Sequence, residues 1–301
     1  MRIDYQQRLQ PVIRQLERHY RDPPDLAHIA ALAALSPYHF RRIFTAVTGE
    51  TLAAYLRRLR LENVARQLFY GRAPITALAL EHGYGSSQAL AKAFRAHFGI
   101  SASELRRCTD LPSYIALMRH SKIGHHLHKD GHAANGAAPH TGSEGEPKSV
   151  MDLNTENFAP RTLAYVRVIG PYGQGYDVAT NRLYRWAQAH GLAGGERLFI
   201  YHDSPEVTPA ARCRTDIGLS VPSATTVSGA VERQELAGGS YAFIRRRLTA
   251  PAQHSRCWQE LLSQVVAAGL AVAERPCFER YHHFQEQPYR ADVSFYVAVV
   301  L

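Results

Sequence analysis

Cysteine is scarce in this chain. It has four, Cys108, Cys213, Cys257 and Cys277, and none stands in a C-x2-C pair. That excludes a zinc ribbon or a paired redox motif and leaves free thiols as the expectation. Long apolar runs are missing as well, so no segment reads as a membrane span. Residues 1–30 carry charges throughout without an apolar core, so no secretory signal is expected and the protein is placed in the cytoplasm. No nucleophile, base and orienting group share a recognisable pattern, so no catalytic residue, metal ligand or cofactor is expected. Negative charge is short in the first third only. Residues 1–107 hold 16 Arg/Lys against 8 Asp/Glu, whereas residues 108–301 hold 19 against 18. A basic excess confined to one region is what phosphate neutralisation requires.

That basic region contains a patterned stretch from Pro74 to Arg107. Pro74 suits a helix start, and Leu78 and Ala79 give the first short helix an apolar face. Gly83-Tyr84-Gly85 breaks it. Ser86 or Ser87 caps the next helix, in which Leu90, Ala93, Phe94 and Phe98 recur at helical spacing. Gly99 ends that helix, and Ser101 with Glu104 forms a capping box that opens another. Ser87, Gln88, Lys92 and Arg95 are left on the outward face. A helix-turn-helix with such a face is built for a DNA major groove.

The pattern occurs twice. Some fifty residues upstream, Ile29-Ala30, Ala34, Phe40 and Phe44-x4-Gly49-x-Thr51 match Leu78-Ala79, Gly83, Leu90 and Phe94-x4-Gly99-x-Ser101. Here Ser36 caps and Pro37 opens the second helix, and Tyr38, His39, Arg41 and Arg42 face outward. The spacing shows the second turn to be one residue longer. Between the copies, Leu52–Gln67 is helical, with Leu52, Leu56, Leu59, Val64 and Leu68 on one side. Arg57, Arg58, Arg60 and Arg66 lie mostly on the other, and Arg57 and Arg58 are candidate phosphate contacts. A rod of roughly 24 Å, with its flanking turns, spaces two reading helices about one DNA turn apart.

These residues resemble the DNA-binding domain of the AraC/XylS family of bacterial transcription regulators. The signature lies in the second unit: Ile75-x2-Leu78-Ala79, Gly83-Tyr84, Ser87, Leu90, Lys92-x-Phe94, Phe98-Gly99, Ser101 and Leu105-Arg106. The resemblance covers about residues 8–107 and departs from the family pattern at Ala34-Leu35 and Ala102. It implies double-stranded DNA as a partner, and RNA polymerase as a further one. The candidate DNA contacts are Ser36, Pro37, Tyr38, Arg41 and Arg42 in one unit and Ser86, Ser87, Gln88 and Lys92 in the other.

Three domains or segments are expected: an all-α tandem helix-turn-helix domain over 1–118, a flexible linker over 119–150, and an α+β domain over 151–301. The final helix after Ser101 is expected to fray into Leu111-Pro112. The linker is rich in Gly, Ala, His and Ser and cannot bury a core. Its His125, His126 and His128 have no carboxylate or cysteine at a supporting spacing, so a solvated stretch is expected rather than a metal site. The last domain reads as two strand-helix-strand-strand halves. The first has strands at 162–169, 197–201 and 216–221 with a helix over 178–190. The second has strands at 241–247, 277–284 and 293–300 with a helix over 255–268.

This domain resembles the GyrI-like, or SOUL/SHS2-type, effector-binding domain that also ends Rob-type regulators. The matching residues are Tyr201-x-Asp203-x-Pro205, Cys213-Arg214-x-Asp216, Gly238-Gly239-Ser240-Tyr241, Trp258 and Phe278-Glu279-x-Tyr281. The resemblance implies a cleft between the halves around a buried glutamate, at Glu279 here. Tyr281 shares its strand face, while Trp186, Tyr201, Phe243, Trp258 and Tyr296 are candidate walls. A carboxylate among aromatic rings suits a small aromatic or cationic amphipathic ligand. The reading is therefore a ligand-sensing DNA-binding regulator and not an enzyme. The alternatives are a DNA-binding module fused to a GyrI-like hydrolase that uses a burial-raised Glu279, or a module that binds DNA gyrase.

Overall fold

The computed structural model describes residues 5–122 and 152–300. Most of the expected linker, including His125, His126 and His128, lies outside the described residues. The chain divides into two units, Met1–Arg107 and Cys108–Leu301.

In the first unit, seven helices form where caps and apolar spacing place them. α1 (Tyr5–Arg18) buries Leu9, Val12, Ile13 and Leu16. α2 (Leu26–Leu32) is capped by Asp25, whose carboxylate accepts from the His28 amide. α3 (Pro37–Thr48) is capped by Ser36, and α6 (Ser87–Phe98) by Ser86. Between them run α4 (Leu52–Tyr70) and α5 (Ile75–Glu81). α7 (Ala102–Arg106) opens on the expected capping box: Ser101 N donates to Glu104 at 2.6 Å and Glu104 N to Ser101 Oγ at 3.1 Å. Each of these side chains satisfies an amide that the first helical turn leaves without a partner.

The two turns have one geometry and different residues. Leu35 N donates to Ala30 O, and Tyr84 N donates to Ala79 O. Such a closure needs a left-handed residue. Gly83 supplies it at φ 75° and Ala34 at φ 49°. A Cβ there costs about 1 kcal/mol. Arg8 helps to hold the first turn by donating to Ala33 O and Ala34 O, each at 2.5 Å.

α4 is the central rod, and it corrects one expectation. Arg58 does not face outward. It is buried over the Tyr55 ring, bonded to Glu50 at 2.7 Å and to Glu62 at 3.2 Å. Arg60 donates to Tyr20 O and Arg21 O. A helix packed on several sides has little surface left for solvent, so these guanidinium groups serve the fold. Arg57 stays exposed. A second correction follows α7, where the chain does not fray. Asp110 caps a new helix, α8 (Leu111–Arg119), with Pro112 in its first turn. Proline there is a start signal, not a stop. α8 falls in the second unit, although residues to 118 were expected in the first domain.

The second unit is a nine-stranded antiparallel sheet with two helices on it. The strands are β1 (Asn154–Phe158), β2 (Arg161–Ile169), β3 (Arg197–Tyr201), β4 (Arg214–Ser220), β5 (Glu232–Leu236), β6 (Gly239–Leu248), β7 (Ala271–Val272), β8 (Cys277–Gln285) and β9 (Arg290–Val300). Their order is β1-β6-β9-β8-β3-β4-β2-β5, with β7 on β9. The helices are α9 (Tyr176–Ala189) and α10 (Gln253–Ala267). β1, β5 and β7 were not expected; β1 and β5 are polar, half-exposed edge strands, and β7 has only two residues. β1 and β5 each pair with the first strand of the other half, so the links β1–β2 and β5–β6 pass close together. A Cβ on Gly238 at that crossing would lie 2.6 Å from Phe158 O, which explains the glycine.

Register assigns the faces. One row across the sheet runs Val166, Ile217, Phe199, Glu279, Phe295, Ile244. The next runs Arg167, Asp216, Ile200, Phe278, Tyr296, Phe243, on the opposite face. α9 packs on β2 and β4, and α10 on β6 and β9. A helix about 10 Å wide covers about two strands. The central pair β3–β8 is therefore left in the seam between the helices, and side chains must close it.

Candidate ligand site and DNA-reading face

Glu279 sits on β8 in that seam and is fully buried. Trp258 Nε1 donates to Oε1 at 2.8 Å, and Tyr281 Oη donates to Oε2 at 2.7 Å. His254 Nδ1 lies 3.0 Å from Oε1, and its Nε2 lies 2.7 Å from Tyr289 Oη. His254 and Trp258 come from the first turns of α10, one helical turn apart. Rings close the rest. Tyr201 meets Trp258 edge-on at 5.6 Å, Phe199 lies 4.7 Å from Tyr281, and Phe295 lies 5.4 Å from Trp258.

The electrostatics follow from burial and partners. Burial alone would raise the Glu279 pKa, but the His254 charge and the donated hydrogen bonds outweigh it and hold the carboxyl below its usual range. Burial likewise works against a charged His254, yet Glu279 wins and raises it. Tyr201 and Tyr281 are pushed well above 10, first by burial and then by the Glu279 charge, so their hydroxyls stay protonated. The site is an anion held by one titratable cation and by neutral donors.

The structure brings Glu279, Tyr281, Tyr201 and Trp258 together. It does not bring Phe243 and Tyr296 to them. Those rings stack on each other at 5.1 Å, and Tyr296 stacks on Phe278 at 4.5 Å, on the face away from Glu279. Strand alternation decides this, since Tyr296 pairs with Phe278 and not with Glu279. Trp186 lies almost three turns along α9 from Tyr176, about 15 Å, stacked on His190 at 4.7 Å. Sequence reasoning missed His254, Tyr289 and Tyr176. Tyr176 bonds to Thr215 Oγ1 at 2.6 Å and meets Phe199 edge-on. A depression of about 390 Å³ lies elsewhere, on the outward face of α9, lined by Val178, Asn181, Arg182 and Arg185.

In the first unit, α3 and α6 each bury one stripe and expose another. α3 buries Phe40 and Phe44 and exposes Pro37, Tyr38, Arg41 and Arg42. Tyr38 is 66% exposed, and the Arg42 guanidinium lies 5.9 Å from its ring. α6 buries Leu90, Phe94 and Phe98 and exposes Gln88 and Lys92, with Ser86 and Ser87 half-buried. Ser36 and Ser86 are occupied as caps, accepting from His39 N and Ala89 N.

Comparison with known proteins agrees with both halves. Residues 29–108 match a helix-turn-helix domain family, and residues 151–298 match the GyrI-like small molecule binding domain family. A DNA gyrase inhibitor of Edwardsiella ictaluri is 35% identical over 137 residues, 44% of this chain and 86% of that protein. The structure of an AraC-type transcriptional regulator from Chromobacterium violaceum is 25% identical, covering 34% of this chain and 90% of that one, with a TM-score of 0.32. The DNA-binding domain of AdpA, solved with a target DNA, is 28% identical, covering 33% of this chain and 88% of that one, with a TM-score of 0.31. No helix among the described residues is long and apolar enough to cross a membrane. The chain carries an AraC-type helix-turn-helix domain and, through its second unit, belongs to the GyrI-like small molecule binding domain family.

Proposed function

We propose that this protein is a cytoplasmic, sequence-specific transcription regulator whose second unit senses a lipophilic cation at Glu279 and whose first unit acts with RNA polymerase at the promoter. The observation that carries the ligand class is the fully buried Glu279 carboxylate enclosed by aromatic rings, its pKa held down by His254 and its hydrogen-bond donors despite burial. Ring faces and a buried negative charge both favour a cation with apolar groups around it. α10 carries His254 and Trp258 and packs against α8, the helix that leads out of the DNA-binding half. A ligand that moves α10 is therefore felt by α8. The full-length protein should bind its operator with an affinity that changes several-fold, in either direction, when tetraphenylphosphonium is added. An unchanged affinity and unchanged transcription in vitro would contradict the reading.

We also read the second unit as a duplication. The mirrored strand order supports this, with β2-α9-β3-β4 repeated as β6-α10-β8-β9. Under that reading Tyr176, Phe199 and Tyr201 correspond to His254, Glu279 and Tyr281. One half supplies rings and the other supplies charge. The hydrolase alternative needs a carboxyl raised by burial, whereas Glu279 is shifted the other way and is a poor general base near neutral pH. The gyrase-inhibitor relatives support a second reading, in which the second unit engages DNA gyrase; a supercoiling assay with the full-length chain checks it.

For DNA, α3 and α6 are assigned to successive major-groove segments. Arg42 is placed to pair with guanine and Gln88 with adenine, at about 1–3 kcal/mol per good contact. Arg42→Ala and Gln88→Ala should each relax base preference at a different end of the operator in a binding-site selection. An unaltered motif at full discrimination would overturn the assignment.

A further inference from the structure

Among the described side chains hydrogen-bonded to Glu279, His254 is the one that can carry positive charge. Its two ring nitrogens face a carboxylate and a hydroxyl, so both can donate and the site accepts an imidazolium. The ring is the more exposed of the two partners. The His254 side chain is 18% exposed and that of Glu279 is 1%. Tyr281 and Phe295 pack on it at 6.2 and 5.7 Å. Among the described residues, the titratable or charged groups that face it are Glu279 and Tyr281 from β8 and Tyr289 from the turn before β9. From its own helix, Trp258 adds a neutral donor to Glu279. Half-buried Tyr281 and Tyr289 are pushed up by their surroundings, Tyr289 to about 12, so both remain neutral.

We propose that His254 is a built-in counter-ion that a cationic ligand displaces, so that binding at Glu279 expels a proton from His254. The inference rests on Glu279 being the ligand's carboxylate. One buried carboxylate neutralises one charge, and two cations beside it repel in a medium of low dielectric. The incoming cation therefore takes the imidazolium's place. The Nδ1 proton leaves to buffer and neutral imidazole remains, free to swing toward solvent. A neutral ligand gains nothing from that exchange and leaves the pair intact, which makes His254 a specificity-determining residue. The sign follows. Below the raised pKa of His254 the ligand competes with the proton, and affinity should rise up to tenfold per pH unit. Above it, affinity should be flat.

The test uses the full-length chain and tetraphenylphosphonium, whose charge does not titrate. Calorimetry near about pH 6, in phosphate and in bis-tris, reads the protons released from the dependence of apparent enthalpy on buffer. Close to one proton per ligand is expected, falling toward zero near about pH 9. His254→Asn keeps a donor to Glu279 without a titrating charge. Its binding should release no proton, be flat with pH, and be about tenfold tighter than wild type near about pH 6. If thermal melting shows that variant to be misfolded, the wild-type proton count still decides. Binding without buffer dependence, or an unchanged pH slope in His254→Asn, overturns this inference alone. No binding in any buffer overturns it together with the ligand-site assignment beneath it.

Discussion

Two carboxylates in the second unit, Asp216 and Glu279, are each fully buried, on opposite faces of one sheet. Asp216 is held by Arg167 through two hydrogen bonds of 2.7 and 3.0 Å, by His202 at 2.6 Å and by Gln234 at 2.9 Å. Burial alone would raise its pKa, but Arg167 and His202 drive it far below the carboxylate range. Glu279 has a titratable imidazole where Asp216 has a guanidinium, and phenol and indole donors around it. Arginine stays charged at any physiological pH and matches a carboxylate with two parallel donors. Histidine changes charge within that range and is more easily separated. The first arrangement fixes a strand pair, whereas the second is the one proposed to exchange its partner. Arg58 and Glu62 of α4, with Glu50 just before that helix, repeat the fixed kind.

The comparison breaks most visibly at Arg167. Arg167→Ala leaves Asp216 buried without its main counter-ion and should cost about 3–5 kcal/mol in chemical denaturation, whether or not ligand is present. A loss under 1 kcal/mol would mean that His202 and Gln234 suffice and that the two sites do not differ in kind. A pH titration of stability sharpens the contrast. The His254 pKa is raised in the fold, so its contribution is full below about 6.5 and is lost as pH climbs through the raised value. The Glu279 pKa is lowered, so its contribution is present above about 4.5 and is lost as pH falls. The pair should stabilise most between those limits, and stability should decline on the alkaline side by about 1.4 kcal/mol for each unit of His254 shift. His254→Asn should flatten that alkaline limb. The smallest effect lies in the other unit, where Ala34 and Gly83 are a second pair of like positions with unlike residues. Ala34→Gly should stabilise by about 0.5–1 kcal/mol, since glycine enters the left-handed region without a Cβ penalty. No gain on thermal melting would show that the Arg8 bonds already absorb the strain.

The helical unit was nearly all legible, because its signals are local. Asp25, Ser36, Thr51, Ser86 and Ser101 cap helices through their own side chains, and such caps can be read without tertiary context. The buried cluster around Glu279 was legible at Glu279 itself and blurred around it for a physical reason. The N-cap positions of α9 and α10 are Gly175 and Ala252, which offer no side-chain cap. Both helix starts were placed two residues late, so Tyr176 and His254 fell just outside the expected helices. Phe243 and Tyr296 failed as walls because choosing a sheet face needs the register between strands, which distant pairing sets. Arg58 failed as a surface group because a charged residue in a basic helix gives no sign of acids packed beside it.

The central claim is that the Glu279 charge selects the ligand. Calorimetry of the full-length protein with tetraphenylphosphonium and with neutral triphenylmethanol, for wild type and Glu279→Gln, tests it most directly. Glutamine keeps the shape and removes the charge. The account predicts a tenfold or greater loss of cation affinity, about 1.4 kcal/mol or more, with neutral affinity and operator binding unchanged. Equal losses for the charged and the neutral compound would contradict it and make Glu279 a structural residue like Asp216.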